Sequence, residues 1–204
     1  MKNLKWTFNK KMSKAKIDFQ KESNENIPNI PELAKKKENN HNNNNENPTF
    51  YLSIEYILID LVNENGKKSN YKDKLQSQKK NIFTSHELPK ITLSKYLERM
   101  KKYMKLEDNS IILGLIYLDR FCKKTKIILT EYNKHRLLFI SILTAVKYQE
   151  DKFYRNTFYS QVCGVQTNIL NQMEYEYCCG MGFEFYVTVS LFDKYRIIIN
   201  LEKE

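Results

Sequence analysis

Beyond residue 48 the apolar positions return at helical spacing. In "FYLSIEYILIDLVNEN" they fall at 50, 51, 52, 54, 57, 58, 59, 61 and 62. That stripe predicts a helix that stops at Asn65-Gly66. The period is lost over residues 66–82, which read as a Lys/Ser/Gln loop. It resumes in "LPKITLSKYLERMKKYMKL", where Leu93, Tyr96, Leu97, Met100 and Met104 share one face and Thr92 or Ser94 suits the cap. "EDNSIILGLIYLDRFCKK" is apolar on nearly every side between Ile111 and Leu118. It predicts an interior helix that starts near Asp108, whose side chain suits the cap, with Lys123 and Lys124 complementing the dipole of its last turn.

The next segment, "TEYNKHRLLFISILTAVKYQED", is apolar all round from Leu137 to Val146 except for Ser141 and Thr144. It reads as the central core helix, about Glu131–Gln149, capped by Thr130 and closed by Lys147. "NTFYSQVCGV" predicts a short helix stopped by Gly164, and "QTNILNQMEYEYCCGMGF" another opened by Thr167 or Asn168. A last helix is expected in "TVSLFDKYRIIINLE", despite the β-branched Ile197–Ile199. No strand pattern and no internal repeat stands out, so the fold class is all-α.

Composition divides the chain in two. The first 47 residues are polar and end in "ENNHNNNNEN". Such a tract buries too little apolar surface to offset its ordering entropy. Residues 1–47 are expected to be a disordered basic, Asn-rich tail, with a transient helix near Lys11–Lys21 and a basic stretch that could dock. Residues 48–204 are expected to form one domain with its core at about 82–187. The net charge of +10 resides in the first two-thirds: +4 over residues 1–50, +7 over 51–130 and −1 over 131–204. These lysines are scattered through loops and exposed helix faces rather than interleaved with aromatics on one face. Direct nucleic-acid binding is therefore not the expectation.

The four cysteines, Cys122, Cys163, Cys178 and Cys179, form no C-x-x-C pair and sit in apolar sequence, so no metal site is expected. Without a signal peptide or an apolar run of about 18 residues, the chain reads as a reduced intracellular protein with no membrane span. Glycine-rich phosphate loops, nucleophile elbows and zinc-binding helices are missing. His135, beside Arg136, reads as a packing residue. Glu174 and Glu176 are two apart and do not form an acid–base pair by spacing. No enzyme and no cofactor is expected. What remains is a helical domain that works through its surface. The informative residues are polar groups at the ends of apolar helices: Asp119-Arg120, Lys147 and Glu174. Each also has a plain reading, Lys147 as a last-turn cation snorkelling outward and Glu174 as a solvated helix residue.

The order of the pieces changes those odds. Y-L-D-R-F closes one helix, N-x-H-R-L-L opens the next and A-x-K-Y closes it. An Asp-x-x-Tyr-x-Asn-x-x-Tyr-like stretch ("DKFYRNTFY") and L-N-x-M-E follow in register. Together they resemble a cyclin box, and more narrowly that of the P-type cyclins, over about residues 50–195. The resemblance implies a cyclin-box fold: a five-helix bundle around a central helix, with an additional N-terminal helix and a C-terminal helix. It implies a non-catalytic regulator, located in the nucleus and/or cytoplasm, that binds and activates a cyclin-dependent protein kinase by docking on the kinase's C-helix. By match, Lys147 and Glu174 would bond backbone groups beside that helix. Tyr148, Thr144, Phe183 and Phe185 would complete the kinase-binding set, and Asp119, Arg120 and Ala145 would be structural. The alternative is a cyclin-fold scaffold acting in transcription through protein or nucleic-acid binding. One departure stands out. The arginine that clamps the matching aspartate in larger cyclins would fall near Lys90-Ile91, where there is none. Asp119 then needs another donor, and Arg120 is expected to point outward with Lys123 and Lys124.

Overall fold

The computed structural model describes residues 48–78 and 81–201. Among them eight helices follow one another: α1 Pro48–Gly66, α2 Tyr71–Gln78, α3 Leu93–Met104, α4 Asp108–Thr125, α5 Lys134–Gln149, α6 Asn156–Cys163, α7 Thr167–Met181 and α8 Val189–Leu201. No strand occurs among the described residues. The tail expected over residues 1–47, with its transient helix and its docking stretch, lies outside them.

α5 is the axis of the bundle. Every residue from Leu137 to Val146 is buried, as a helix apolar on all faces must be. α4 packs along one side of it and α7 along another. The α4–α5 contact is close because of Gly114. A Cβ there would lie 2.6 Å from Ile142 Cγ1 and 2.9 Å from Ile142 Cα. The α7 side is held by aromatic packing and one buried polar contact. Phe121 stacks on Tyr177 with ring centroids 4.4 Å apart, and Phe83 meets both rings edge-on. The wholly buried Ser141 hydroxyl lies 2.6 Å from Leu137 O and 2.8 Å from the Tyr177 hydroxyl. Both side chains thereby have the partners that buried polar groups require.

The outer helices are tied to this core by side chains that serve backbone groups. Glu55 of α1 accepts from the Leu93 N–H at 2.9 Å, while Thr92 accepts from the Lys95 N–H at 3.4 Å. The two side chains share the unpaired amides at the start of α3. His135 Nε2 lies 2.9 Å from the Ile91 carbonyl, and its ring meets Tyr96 edge-on. That is the packing role expected of it. α8 buries Tyr195, Ile198 and Ile199 against α4 and α1. The β-branched run Ile197–Ile199 is helical because tertiary burial outweighs propensity.

Three local expectations differ. The loop over 66–82 contains α2, none of whose residues is buried, so it carries no apolar period to detect. α5 begins at Lys134 rather than Glu131. Asn133 cross-links the preceding turn, accepting from the Thr130 N–H at 2.8 Å and donating to Ile128 O at 2.9 Å, and Thr130 is not a cap. Glu107 holds the cap position of α4. Asp108 is the first helical residue and pairs with Lys101 at 2.8 Å.

Candidate functional site

The end of one helix, the start of the next and the middle of a third meet at one edge of the bundle. Lys147 stands in the last turn of α5, Asn156 is the first residue of α6, and Asn171 and Glu174 lie one turn apart on α7. Lys147 Nζ donates to Glu174 Oε1 at 2.6 Å, to Glu174 Oε2 at 2.9 Å and to Asn156 Oδ1 at 2.7 Å. Asn156 Nδ2 donates to Glu174 Oε2 at 2.7 Å and to Asn171 Oδ1 at 2.8 Å. The Phe153 ring covers the ammonium, its centroid 5.8 Å from Nζ. The Lys147 and Glu174 side chains keep 20% and 24% of their exposure. The pair is shielded enough to exceed a solvated surface bridge and open enough to meet another molecule.

Beside this cluster runs an aromatic groove. Tyr148, next along α5, is exposed and lies 5.6 Å from the Phe185 ring, and Phe183 meets Phe185 edge-on at 6.4 Å. Phe185 is anchored from below, because Tyr117 packs on its ring and donates to its carbonyl at 2.7 Å. The opposite wall is the end of α4, with Arg120, Lys123, Lys124 and Lys126. α7 stops in two left-handed residues, Gly182 (φ 61°) and Phe183 (φ 56°), whose N–H groups bond Cys179 O and Cys178 O. A phenylalanine in that region costs about 1–2 kcal/mol.

The expected site residues therefore fall into distinct places. Lys147 meets Glu174, and Tyr148 meets Phe185 and, through it, Phe183. Thr144 is not on this surface: it is buried, and its hydroxyl donates to Ile140 O at 2.8 Å. Ala145 is wholly buried in the core. Asp119 is buried and accepts from the Tyr195 hydroxyl at 2.9 Å, which names the donor that the sequence left open.

Arg120 does not point outward as expected. Its guanidinium donates to the carbonyls of Glu184 and Tyr186, the latter at 3.0 Å, and sits over the Tyr117 ring. Lys124 donates to Met181 O at 2.8 Å and pairs with Glu184 at 2.8 Å, drawing that exposed carboxyl below its ordinary pKa. The carbonyls at the end of α7 and just after it thus hold two of the cations expected to face solvent. Asn156 was missed as a site residue. Its signal was the asparagine of the stretch after the central helix, quoted there for register alone. The cysteines take no part: burial pushes Cys122 up to about 12 and Cys163 to about 11, so both stay as thiols. No helix among the described residues is long and apolar enough to cross a membrane.

Comparison with known proteins fits this architecture. Residues 20–185 match the family model described as Cyclin. The chain is similar to Cyclin-U2-1 of Arabidopsis thaliana, 39% identical over 129 residues, which is 62% of this chain and 56% of that protein. It is similar to Cyclin-U4-3 of the same plant, 33% identical over 156 residues, 76% of this chain and 68% of that protein. It is also similar to Cyclin-P3-1 of Oryza sativa subsp. japonica, 30% identical over 163 residues, 78% of this chain and 67% of that protein. The chain thus spans little more than half of the first relative and about two-thirds of the other two. The five helices α3 to α7, wrapped with α5 at their centre, are its cyclin box, and the chain belongs to the cyclin family.

Proposed function

We propose that this chain is the regulatory subunit of a cyclin-dependent protein kinase, of the P-type group, and that it activates the kinase by docking on its C-helix. The observation that carries this reading is the Lys147–Glu174 pair, held at 2.6 Å beside the aromatic groove. It offers a donor and an acceptor to a partner's peptide groups, next to a groove whose aromatic wall suits the apolar face of a helix. Relatives named as P-type and U-type cyclins support the narrower assignment.

The chain contributes no catalytic group. A protein kinase is active when a glutamate of its C-helix pairs with the lysine that holds the ATP phosphates. A subunit that binds the C-helix in that arrangement, and not otherwise, shifts the kinase toward it by the difference in affinity. The phosphate-transfer chemistry stays with the kinase, inside the cell. The test is reconstitution. The full chain is mixed with a purified monomeric cyclin-dependent kinase from the same organism, and complex formation and peptide phosphorylation are followed. Co-elution as a one-to-one complex with a rise in phosphorylation is expected. If no kinase of this class co-elutes and none is stimulated, the reading fails.

A further inference from the structure

Counting hydrogen-bond donors in the Lys147 cluster assigns a role to Asn156. An ammonium has three N–H donors and an asparagine amide two. All five are in use: three from Lys147 to Glu174 Oε1, Glu174 Oε2 and Asn156 Oδ1, two from Asn156 to Glu174 Oε2 and Asn171 Oδ1. The amide orientation is fixed by chemistry. The reverse flip would set an NH2 against the ammonium and a carbonyl against the carboxylate.

The five bonds are not equivalent. Glu174 Oε2 receives two donors, Lys147 at 2.9 Å and Asn156 at 2.7 Å, whereas Oε1 receives Lys147 at 2.6 Å. The longer lysine bond is the redundant one. If Lys147 turns that N–H to a carbonyl of another molecule, Oε2 keeps its bond to Asn156 and Oε1 keeps its bond to the ammonium. Without Asn156 the same step leaves Oε2 with no donor in an interface that excludes water, where an unmet charged acceptor is costly.

We propose that Asn156 is a positioning residue for partner docking: it holds Glu174 Oε2 so that Lys147 can release one N–H to a peptide carbonyl of the partner. This rests on the kinase-binding reading above. Asn171 belongs to the same device. Its carbonyl takes the second amide hydrogen and fixes the Asn156 side chain across the α6–α7 joint. Asn156 touches no reacting atom and acts through the pair it holds.

The experiment measures the affinity of the purified kinase for the full chain, and the thermal midpoint of the chain alone, for wild type, Asn156→Ala and Asn156→Asp. All affinities are taken at a temperature at which circular dichroism shows each variant folded. Asn156→Ala should weaken kinase binding about 10- to 100-fold, the equivalent of a lost bond to a charged group, with little change in thermal midpoint. Asn156→Asp places a second carboxylate against Oε2 and cannot donate to it while ionised. Its affinity should be low at neutral pH and recover as acid protonates the new side chain, a pH profile absent from wild type. A merely structural residue would move the midpoint and leave affinity and its pH profile unchanged. If both variants bind like wild type while Lys147→Ala does not, the assignment of Asn156 is overturned and the kinase-binding reading stands. If wild type binds no kinase, both fall.

Discussion

The Tyr195 hydroxyl donates to Asp119 Oδ2 at 2.9 Å across 76 residues of sequence, and so fastens the last helix to the second helix of the box. Both side chains are buried. Asp119 lies well inside α4, six residues before its end, so no helix terminus serves its charge, and a buried carboxylate needs a donor to be tolerated. α8 supplies one. Tyr195→Phe keeps the ring and removes a bond to a charged group, so it should lower stability by about 1.5–3 kcal/mol in urea unfolding. A change under about 0.5 kcal/mol, the scatter of neutral substitutions, would show that the tie does not matter.

Gly114 offers a sharper packing test. A methyl group there overlaps the backbone of Ile142 as well as its side chain, and backbone yields less readily than a flexible side-chain tip. Gly114→Ala gains helix propensity, yet overpacking at this spot should cost at least about 1–3 kcal/mol. Net destabilisation is the expected result in thermal or urea unfolding, and a net gain would contradict the close approach of α4 and α5.

His135 gives the fold a dependence on pH. Burial lowers its pKa below the ordinary value, outweighing the Ile91 carbonyl and the carboxylates of Glu131 and Glu55, with Lys134 adding to the depression. Nε2 takes the proton that bonds Ile91 O, and Nδ1 is buried with no hydrogen-bond partner among the described residues. Below about pH 6.5 the unfolded chain binds a proton here that the folded chain resists, so stability falls as pH drops through that value toward the depressed pKa. Thermal midpoints between about pH 5 and pH 8 should show this slope, and His135→Gln should flatten it.

Removing either partner of the Lys147–Glu174 pair should weaken kinase association by about 2–5 kcal/mol, because each leaves the other charge unmet. The double change to alanine should cost clearly less than the sum of the single changes. Binding energies from a complete cycle decide this, and strict additivity would mean that the two side chains do not act together.

The rim of the groove should act on rate more than on final affinity. Among the cations there, Arg120 and Lys124 are engaged by the segment after α7, whereas Lys123 and Lys126 are exposed. Reversing both to glutamate should slow kinase association several-fold at low salt and flatten its salt dependence. Stopped-flow association rates at two ionic strengths measure the effect.

The helices that build the core were legible because each buries a face with a helical period, and α5 most of all because it buries every face from Leu137 to Val146. α2 was not, because it buries nothing. The start of α5 was misplaced by three residues because Asn133 uses its amide to bind the turn before it, a contact that spacing does not reveal. The Lys147–Glu174 meeting was legible only through the ordered motifs, since the two residues are 27 apart and nothing local links them. Long-range polar contacts stayed hidden. The donor to Asp119 sits 76 residues away, and Arg120 spends its charge on backbone carbonyls, which look the same for every residue type.

The bonds from Arg120 and Lys124 to the carbonyls of Met181, Glu184 and Tyr186 make the stretch after α7 an outrigger of α4. Its aromatic wall is set in place when the chain folds, not when a partner arrives. A helix entering the groove then meets a mould rather than a loop, and most of the freedom lost on association is the partner's own.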